Sequence, residues 1–200
     1  KDLNLKELIR EMLPATRDKL GANNSYIKIK FDYFVVKQAP VSKEKCYMEY
    51  KCVLEGKLLT DKNSSPKERY YLTVQVPYTS CCPCSKEISD HGAHNQRSYA
   101  DVKVELKTDQ IMWIEDVIEL VEKNASSPII NVLKRVDESY QTELMYENPR
   151  FVEDMVRLIA EELDKYLDKK ILDYVVVVNH EESIHTHNAV AVISAGRELQ

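Results

Sequence analysis

The stretch IKIKFDYFV at residues 27–35 alternates apolar and polar side chains, which is the pattern of a β-strand with one buried face. The run CYMEYKCVL at residues 46–54 repeats this alternation, so the two runs are predicted to pair. Four later runs also favour strands: residues 70–76, 100–106, 171–178 and 185–195. These strands form the framework onto which the rest of the chain is expected to pack.

Helical periodicity occupies the segments before and between the later strands. The predicted helices cover residues 3–20, 111–123 and 128–136, and a longest helix runs from an N-cap at Asn148 to Asp168. Because runs of strands are followed by runs of helices and a closing strand pair, the fold class is predicted to be α+β. No internal repeat or long linker interrupts the chain, so residues 1–200 are expected to form a single domain.

Composition excludes several classes of partner. The chain has 200 residues and a net charge of −5, with 28 basic and 33 acidic side chains. Nucleic-acid binding normally needs a basic surface, so no nucleic-acid partner is expected. No apolar run reaches the roughly 18 residues that span a bilayer, so a soluble protein without a membrane partner is expected. An odd number of cysteines and no secretory signal favour the cytoplasm.

Cysteine and histidine are concentrated in two short segments. Residues 81–94 contain three of the five cysteines and two of the five histidines, and the other histidines lie within residues 180–187. Thiolate and imidazole groups gathered in this way are ligands for Zn, Fe or Mn. Acidic residues that could complete such a site lie nearby in sequence: Glu87, Glu138, Glu143, Glu181 and Glu182. A catalytic metal site with an open position for water is therefore one interpretation of this pattern.

The other interpretation of these residues is structural. Cys46 and Cys52 fall on the apolar face of a predicted strand and are expected to be buried small hydrophobic residues. His91 and His180 are expected at the surface. The cysteines around Pro83 could also belong to a tight turn with incidental thiols.

Charged residues elsewhere suggest substrate contacts. Glu153 flanks the apolar stripe of its predicted helix, where it could reach a pocket or remain a solvated acid of the first turn. Four basic side chains could hold phosphate groups, although isolated lysines and arginines are more often solvated: Lys86, Arg97, Lys134 and Arg135.

Several separated motifs together resemble one enzyme family. The motifs are APVS at residues 39–42, TSCCPCSKEIS at 79–89, GAHNQRS at 92–98, LKR and DE at 133–138, NPRFVEDM at 148–155 and ESIHTHNA at 182–189. They resemble the signature of type IB GTP cyclohydrolases, a family that includes the archaeal GTP cyclohydrolase of the methanopterin pathway. The resemblance extends over nearly the whole chain.

The resemblance implies a tunnelling fold, in which antiparallel strand pairs flank helices and subunits form a barrel-like homo-oligomer, expected to be a tetramer, with active sites at interfaces. It implies that GTP and water yield formate and a dihydroneopterin phosphate, either a triphosphate or a cyclic phosphate, at the start of folate or related biosynthesis. It also implies a divalent metal ion: Fe, Mn or Zn.

The same resemblance assigns roles to individual residues. It implies metal ligands at Cys82, His94 and Glu138, with Glu143 and His187 as further candidates. It implies catalytic roles for Cys84, Glu182 and His185, and a guanine-anchoring carboxylate at Glu153. Lys86, Arg97, Lys134 and Arg135 are the expected triphosphate contacts.

The sequence departs from the family in two places, and two other functions stay open. An N-terminal stretch expected before the first helix is missing, and Cys81 stands where many relatives have an apolar residue. A tunnelling-fold nitrile reductase would also use a pocket cysteine and a purine-anchoring glutamate, with NADPH. A non-enzymatic protein with a closed structural zinc site is the alternative outside enzymology.

Overall fold

A computed structural model describes residues 5–60 and 65–196 of the chain. The predicted helix positions 3 and 4 and most of the predicted loop at residues 61–67 lie outside the described residues. In chain order the elements are α1 (Leu5–Lys19), β1 (Ser25–Gln38), β2 (Lys45–Leu59), β3 (Lys67–Cys81), α2 (Pro83–Ile88), β4 (Asn95–Leu106), α3 (Ile114–Glu122), β5 (Ser127–Pro128), α4 (Arg135–Glu147), α5 (Val152–Asp164), β6 (Ile171–His180) and β7 (Ala189–Ser194).

The strands form one antiparallel sheet in the order β1-β2-β3-β4-β6-β7, and the short β5 pairs with β3. The predicted pairing of the first two runs is confirmed, with Ile29 opposite Leu54. Antiparallel neighbours connected by hairpins, with helices inserted between the later strands, confirm the α+β class.

The core lies between one face of the sheet and helices α1, α3 and α5. Ile9 and Leu13 of α1, Val102 of β4 and Ile159 of α5 are buried in a single hydrophobic cluster. Gly56 on β2 lets α1 approach closely, because a Cβ atom there would lie 2.3 Å from Cγ2 of Ile9. Cys46 and Cys52 are buried in this cluster, as their strand positions predicted.

Three strands extend beyond their predicted ends, and these extensions build the site described below. β3 continues through Pro77 to Cys81, although a proline ordinarily ends strand pairing. The pairing of β3 with β2 stops at Gln75, so Pro77 lies where that side of β3 has lost its β2 partner. β4 begins at Asn95, five residues before the predicted start, and β6 continues to His180.

Three predictions in the second half of the chain are wrong. The predicted helix at residues 128–136 is replaced by β5 and a loop, and α4 begins only at Arg135. Asn148 does not begin the next helix, because it caps the C-terminal end of α4 by donating its side-chain amide to the Leu144 carbonyl at 2.8 Å. α5 therefore starts after Phe151, and at 13 residues it is shorter than the 15-residue α1.

The last strand is also shorter than predicted. β7 begins at Ala189, so His185 and His187 lie in the connection between β6 and β7 and not on a strand. Among the described residues, no helix combines the length and apolar character needed to cross a bilayer.

Candidate active site

The predicted cysteine and histidine cluster lies at one end of the sheet. In an antiparallel sheet the end of β3, the start of β4 and the end of β6 lie at the same end of the sheet, as the registers Cys81–Asn95 and Ser98–His180 show. This end of the three strands is hereafter called the edge of the sheet. Cys82 follows β3 directly, His94 precedes β4, and Glu182 follows β6 by two residues. Sheet topology thus brings together three predicted site residues from distant parts of the sequence.

Backbone and side-chain hydrogen bonds fix the positions of Cys82 and His94 relative to each other. The Cys82 amide donates to the His94 carbonyl at 3.0 Å. The Ser85 hydroxyl donates to the Cys82 carbonyl and accepts from the His94 amide, both at 3.1 Å. Ser85 in the first turn of α2 therefore holds Cys82 and His94 next to each other.

The side chains of His94 and Glu182 meet beside Gln96. Nδ1 of His94 lies 3.0 Å from Oε1 of Gln96 and 3.9 Å from a carboxylate oxygen of Glu182. Nε2 of Gln96 donates to the Ser80 hydroxyl at 2.9 Å and reaches the other Glu182 oxygen at 3.4 Å. His94 and Glu182 are both largely buried, with about 14% and 15% of their side chains exposed.

A row of buried polar side chains continues from Gln96 into the core. The Ser80 and Ser98 hydroxyls lie 2.8 Å apart, Ser98 hydrogen-bonds to the Tyr78 hydroxyl, and that hydroxyl lies 2.9 Å from Nε2 of His180. Burial raises the pKa of Tyr78, so its phenol remains protonated and is able to donate to His180. Polar groups buried at this depth persist in folded proteins when each has a hydrogen-bond partner.

His180 was predicted at the surface, and that prediction is wrong. Its side chain is only about 2% exposed, because β6 extends far enough to place it on the core face of the sheet. Burial lowers the pKa of His180 to about 4, and the Glu153 carboxylate opposes this shift. His180 is therefore neutral near pH 7. His91 is exposed, as predicted.

Glu153 lies exposed in the first turn of α5, where an acidic side chain is favoured by the helix dipole. Its carboxylate is near enough to His180 to act on its pKa, which places it near the same end of the sheet.

The four basic candidates occupy different settings. Lys86 donates to the Tyr146 carbonyl and lies 4.3 Å from the centre of the Tyr146 ring, which ties α2 to α4. Lys134 forms an ion pair with Glu44. Arg97 and Arg135 are exposed, Arg97 near the start of β4 and Arg135 at the start of α4.

The remaining candidates are exposed around this edge. Glu138 and Glu143 lie on the surface of α4, and Glu143 lines a cavity of about 260 Å³ with Cys81 and Tyr146. Cys84 is exposed in α2. His185 and His187 are exposed after β6, with their rings stacked 5.0 Å apart.

Asp137, which directly precedes Glu138, anchors the start of α4 and is fully buried. Its carboxylate accepts hydrogen bonds from the amides of Val41 and Ser42 at 2.8 Å, from the Ser42 hydroxyl at 2.6 Å and from the Lys134 amide at 2.9 Å. Burial by itself would raise the pKa of Asp137, but these hydrogen bonds outweigh it and hold the pKa far below its usual value.

We expect Asp137→Asn to lower the melting temperature by several degrees at neutral pH, because the amide turns an NH₂ group toward donors it cannot pair with. Since the folded-state pKa is depressed, the stabilisation is fully present above the ordinary aspartate pKa of about 4, and it is lost progressively as pH falls from there toward the folded-state pKa. Thermal melts of both proteins between about pH 3 and pH 8 should therefore show a constant difference above about pH 5, which begins to narrow below about pH 4. Glu147→Gln, at the exposed end of the same helix, is the matched control. A difference in melting temperature that does not narrow between about pH 5 and pH 3 would contradict this account.

The donor types at this edge fit a divalent metal ion, although one chain does not gather them fully. A thiol, an imidazole and carboxylates are the ligands typical of zinc and related metals. In the described part of the chain the Nε2 atom of His94 makes no hydrogen bond, and it is the atom that a metal would need. Within residues 5–60 and 65–196, however, no three histidine, cysteine or acidic side chains lie close enough together to form a metal site.

Sequence reasoning missed the polar residues that connect these groups: Tyr78, Ser80, Gln96, Ser98 and Asp137. A signal for the four strand residues was available, because the alternation that places Val74 and Val76 on the core face of β3 continues to Tyr78 and Ser80. The same continuation backward from Ala100 marks Ser98 and Gln96 as core-facing residues of β4. Polar residues at core positions need partners, and that need would have indicated a buried network.

The chain is similar to curated proteins that share the name GTP cyclohydrolase FolE2. Residues 1–191 match the family described as type I GTP cyclohydrolase FolE2. The GTP cyclohydrolase FolE2 of Dictyoglomus thermophilum is 46% identical over 190 residues, covering 95% of this chain and 70% of that protein. The corresponding protein of Thermotoga maritima is 44% identical over 190 residues, with the same coverage. That of Nitrosococcus oceani is 47% identical over 184 residues, covering 92% and 66%.

A solved structure also shares the fold. The crystal structure of a highly active BTUO mutant matches 96% of this chain and 71% of that chain, with a TM-score of 0.55 and 7% sequence identity. At this identity the likeness concerns the fold alone, and it confirms the predicted tunnelling fold of the single chain. The relatives support the GTP cyclohydrolase part of the resemblance and give no support to its methanopterin part.

Proposed function

Because the chain belongs to the type I GTP cyclohydrolase FolE2 family, we propose that the imidazole ring of GTP is opened at the edge formed by β3, β4 and β6. The protein is a GTP cyclohydrolase of folate biosynthesis. The reaction adds water across the imidazole ring of guanine, releases C8 as formate and leaves a dihydroneopterin phosphate. The meeting of His94 and Glu182 beside Cys82 is the observation that supports this location.

GTP cyclohydrolases typically need a divalent metal ion, and we propose that Cys82, His94 and Glu138 hold it. Glu143 and His187 are further candidate ligands, and Fe, Mn and Zn all suit this mixture of donors. The ion, when bound, supplies a water of lowered pKa at neutral pH. Two observations support this assignment: His94 is largely buried, and its carbonyl accepts a hydrogen bond from the Cys82 amide.

Proton transfer must accompany each bond that breaks, because a ring nitrogen leaves only once it is protonated. Glu182 and His185 are proposed for this role, and Cys84 is proposed to act beside them. Glu182 is held by Gln96 at the edge of the buried network, whereas His185 is exposed in the connection after β6. In this arrangement the Glu182 carboxylate is held by a hydrogen bond, and the His185 imidazole is accessible to solvent.

Guanine recognition is assigned to Glu153. A carboxylate can accept hydrogen bonds from N1–H and the 2-amino group of guanine together, and adenine cannot donate both. The exposed carboxylate of Glu153 in the first turn of α5 is available for such a pair.

The triphosphate is assigned to the basic side chains around the same edge: Lys86, Arg97, Lys134 and Arg135. Arg97 and Arg135 are exposed. Lys86 and Lys134 would need to exchange their contacts with Tyr146 and Glu44 for phosphate oxygens.

We further propose that the active protein is a cytoplasmic homo-oligomer, with the tetramer as the expected state and active sites at subunit interfaces. Glu138, Glu143, Glu153 and His185 are all exposed in the single chain. A neighbouring subunit could cover these side chains and bring the acidic ligands to Cys82 and His94. The incomplete metal site of the described residues agrees with this proposal.

The test is anaerobic incubation of the purified protein with GTP and either Fe²⁺ or Mn²⁺, with formate measured as product. We expect formate from GTP, none from ATP, and no oxidation of added NADPH, which a nitrile reductase would consume. Chelation should abolish turnover and leave the melting temperature nearly unchanged, whereas a closed structural zinc site would unfold on chelation. Absence of formate under all these conditions would contradict the proposed function.

A further inference from the structure

Gln96 is a buried polar residue that the reaction described above does not use. Its side chain is about 6% exposed and touches His94, Ser80 and Glu182. A buried amide with this many partners is costly to retain unless each contact is satisfied. The contacts determine its orientation, and that orientation has a consequence for His94.

The neighbours of Gln96 allow only one orientation of its amide. The Glu182 carboxylate can only accept hydrogen bonds when it is ionised, so the atom of Gln96 that faces it must be the NH₂ group. That same NH₂ group donates to the Ser80 hydroxyl at 2.9 Å. The carbonyl oxygen Oε1 must therefore face Nδ1 of His94 at 3.0 Å.

The buried serines and tyrosine are compatible with this direction, because each hydroxyl can either donate or accept. Ser80 accepts from Gln96 and can donate to Ser98, Ser98 hydrogen-bonds to Tyr78, and the protonated Tyr78 phenol can donate to His180. Every hydrogen in this chain can thus point away from Gln96 toward His180. A flipped amide, by contrast, would place two acceptors face to face at Glu182.

An acceptor at Nδ1 means that His94 must carry its proton on Nδ1 to make the bond. The Glu182 carboxylate lies 3.9 Å from the same nitrogen, beyond hydrogen-bond distance, so the acceptor that holds the Nδ1 proton is Gln96. Nε2 then keeps its lone pair, and only such a nitrogen can bind a metal ion. In free histidine the proton prefers Nε2, so the protein has to impose this form.

We propose that Gln96 is a positioning residue that holds His94 in its Nδ1–H tautomer and so presents Nε2 for metal binding. This inference rests on the proposed role of His94 as a metal ligand. Hydrogen-bond partners of this kind fix ring orientation, and their loss typically weakens metal binding by about 10- to 100-fold.

The tautomer can be read directly from long-range ¹H–¹⁵N spectra of the metal-free, ¹⁵N-labelled full chain at about pH 8, where an unperturbed imidazole is neutral. The His94 signals are assigned by comparison with a His94→Asn variant. We expect the Nδ1–H form in the wild type and a shift toward the Nε2–H form in Gln96→Met. Gln96→Glu loses the donor to Glu182 but keeps an oxygen that accepts from Nδ1 of His94, so it should retain the Nδ1–H form.

Metal affinity is measured on the same proteins by titration with Mn²⁺, and electron paramagnetic resonance gives the concentration of free Mn²⁺. We expect Gln96→Met to weaken Mn²⁺ binding by about 10- to 100-fold. The matched control is Gln75→Met, which removes another glutamine that bridges β3 and β4, through a 3.0 Å bond to Asp101. This control should leave both the His94 tautomer and the Mn²⁺ affinity unchanged, and circular dichroism confirms folding of each variant.

Three results would overturn the inference: an Nε2–H tautomer of His94 in the wild type, an unchanged tautomer in Gln96→Met, or a changed tautomer with Mn²⁺ affinity within twofold of wild type. Failure of the proposed reaction is distinguishable from these. A wild-type protein that releases no formate from GTP, yet shows the Nδ1–H form and Mn²⁺ binding that depends on Gln96, would contradict the reaction and support the role of Gln96.

Discussion

Replacing His94 with asparagine is expected to reduce formate release from GTP by about 1000-fold or more. The substitution removes the imidazole nitrogen assigned to the metal while keeping a polar side chain of smaller size at the start of β4. Loss of metal assistance costs several kcal/mol of transition-state stabilisation, and each 1.36 kcal/mol corresponds to a factor of ten in rate. Formate release and Mn²⁺ binding should therefore fall together.

The matched control for this prediction is His91→Asn. His91 is an exposed histidine only three positions away on the same segment. We expect its replacement to leave turnover and Mn²⁺ binding within about twofold of wild type, since surface substitutions remote from a site have small effects. If His94→Asn also retained more than a tenth of wild-type turnover, His94 would not be a ligand of an essential metal.

The second large effect is expected for Glu153→Gln, which should lower kcat/KM for GTP by about 100- to 10,000-fold. Hydrogen bonds to a charged group contribute about 1.5–3 kcal/mol each, and the proposed contact with guanine contains two of them. A glutamine in the same place can accept only one of these bonds, because its NH₂ group faces a donor of the base. The measurement is steady-state formate release over a range of GTP concentrations.

Inosine triphosphate separates base recognition from a general loss of activity. It lacks the 2-amino group, so wild-type protein should prefer GTP strongly, and Glu153→Gln should narrow that preference. Glu161→Gln, an exposed glutamate of the same helix, provides the control and should keep the wild-type preference. An unchanged ratio of GTP to inosine triphosphate turnover in Glu153→Gln would show that another group reads the guanine edge.

Alternation was a sufficient guide to the sheet but a poor guide to where strands end. The apolar faces of β1 and β2 predicted their pairing, because a one-residue slip would expose the whole buried set. The ends of β3, β4 and β6 were missed, since their core-facing positions change there from valine and alanine to tyrosine, serine, glutamine and histidine. Those positions remain buried because the side chains satisfy one another across the three strands.

Local sequence predicted the residue types of the candidate site better than their surroundings. The clustering of Cys82 and His94 indicated metal chemistry, and the fold brings Glu182 to them through pairing of β4 with β6. The burial of His180 depends on that same long-range pairing, so spacing alone could not show it. Asn148 was misassigned because asparagine is favourable at both ends of a helix. In the structure a helix, α4, precedes Asn148, so Asn148 caps the end of that helix and does not begin the next one.

The most direct test of the whole account is anomalous scattering from crystals of the protein loaded with Mn²⁺. We expect one strong peak per subunit, within coordination distance of the Cys82 thiol and Nε2 of His94, and a carboxylate from α4 of the same or a neighbouring subunit should complete the site. A peak at any other location, with Cys82 and His94 uncoordinated, would contradict the assignment of this edge of the sheet as the catalytic centre.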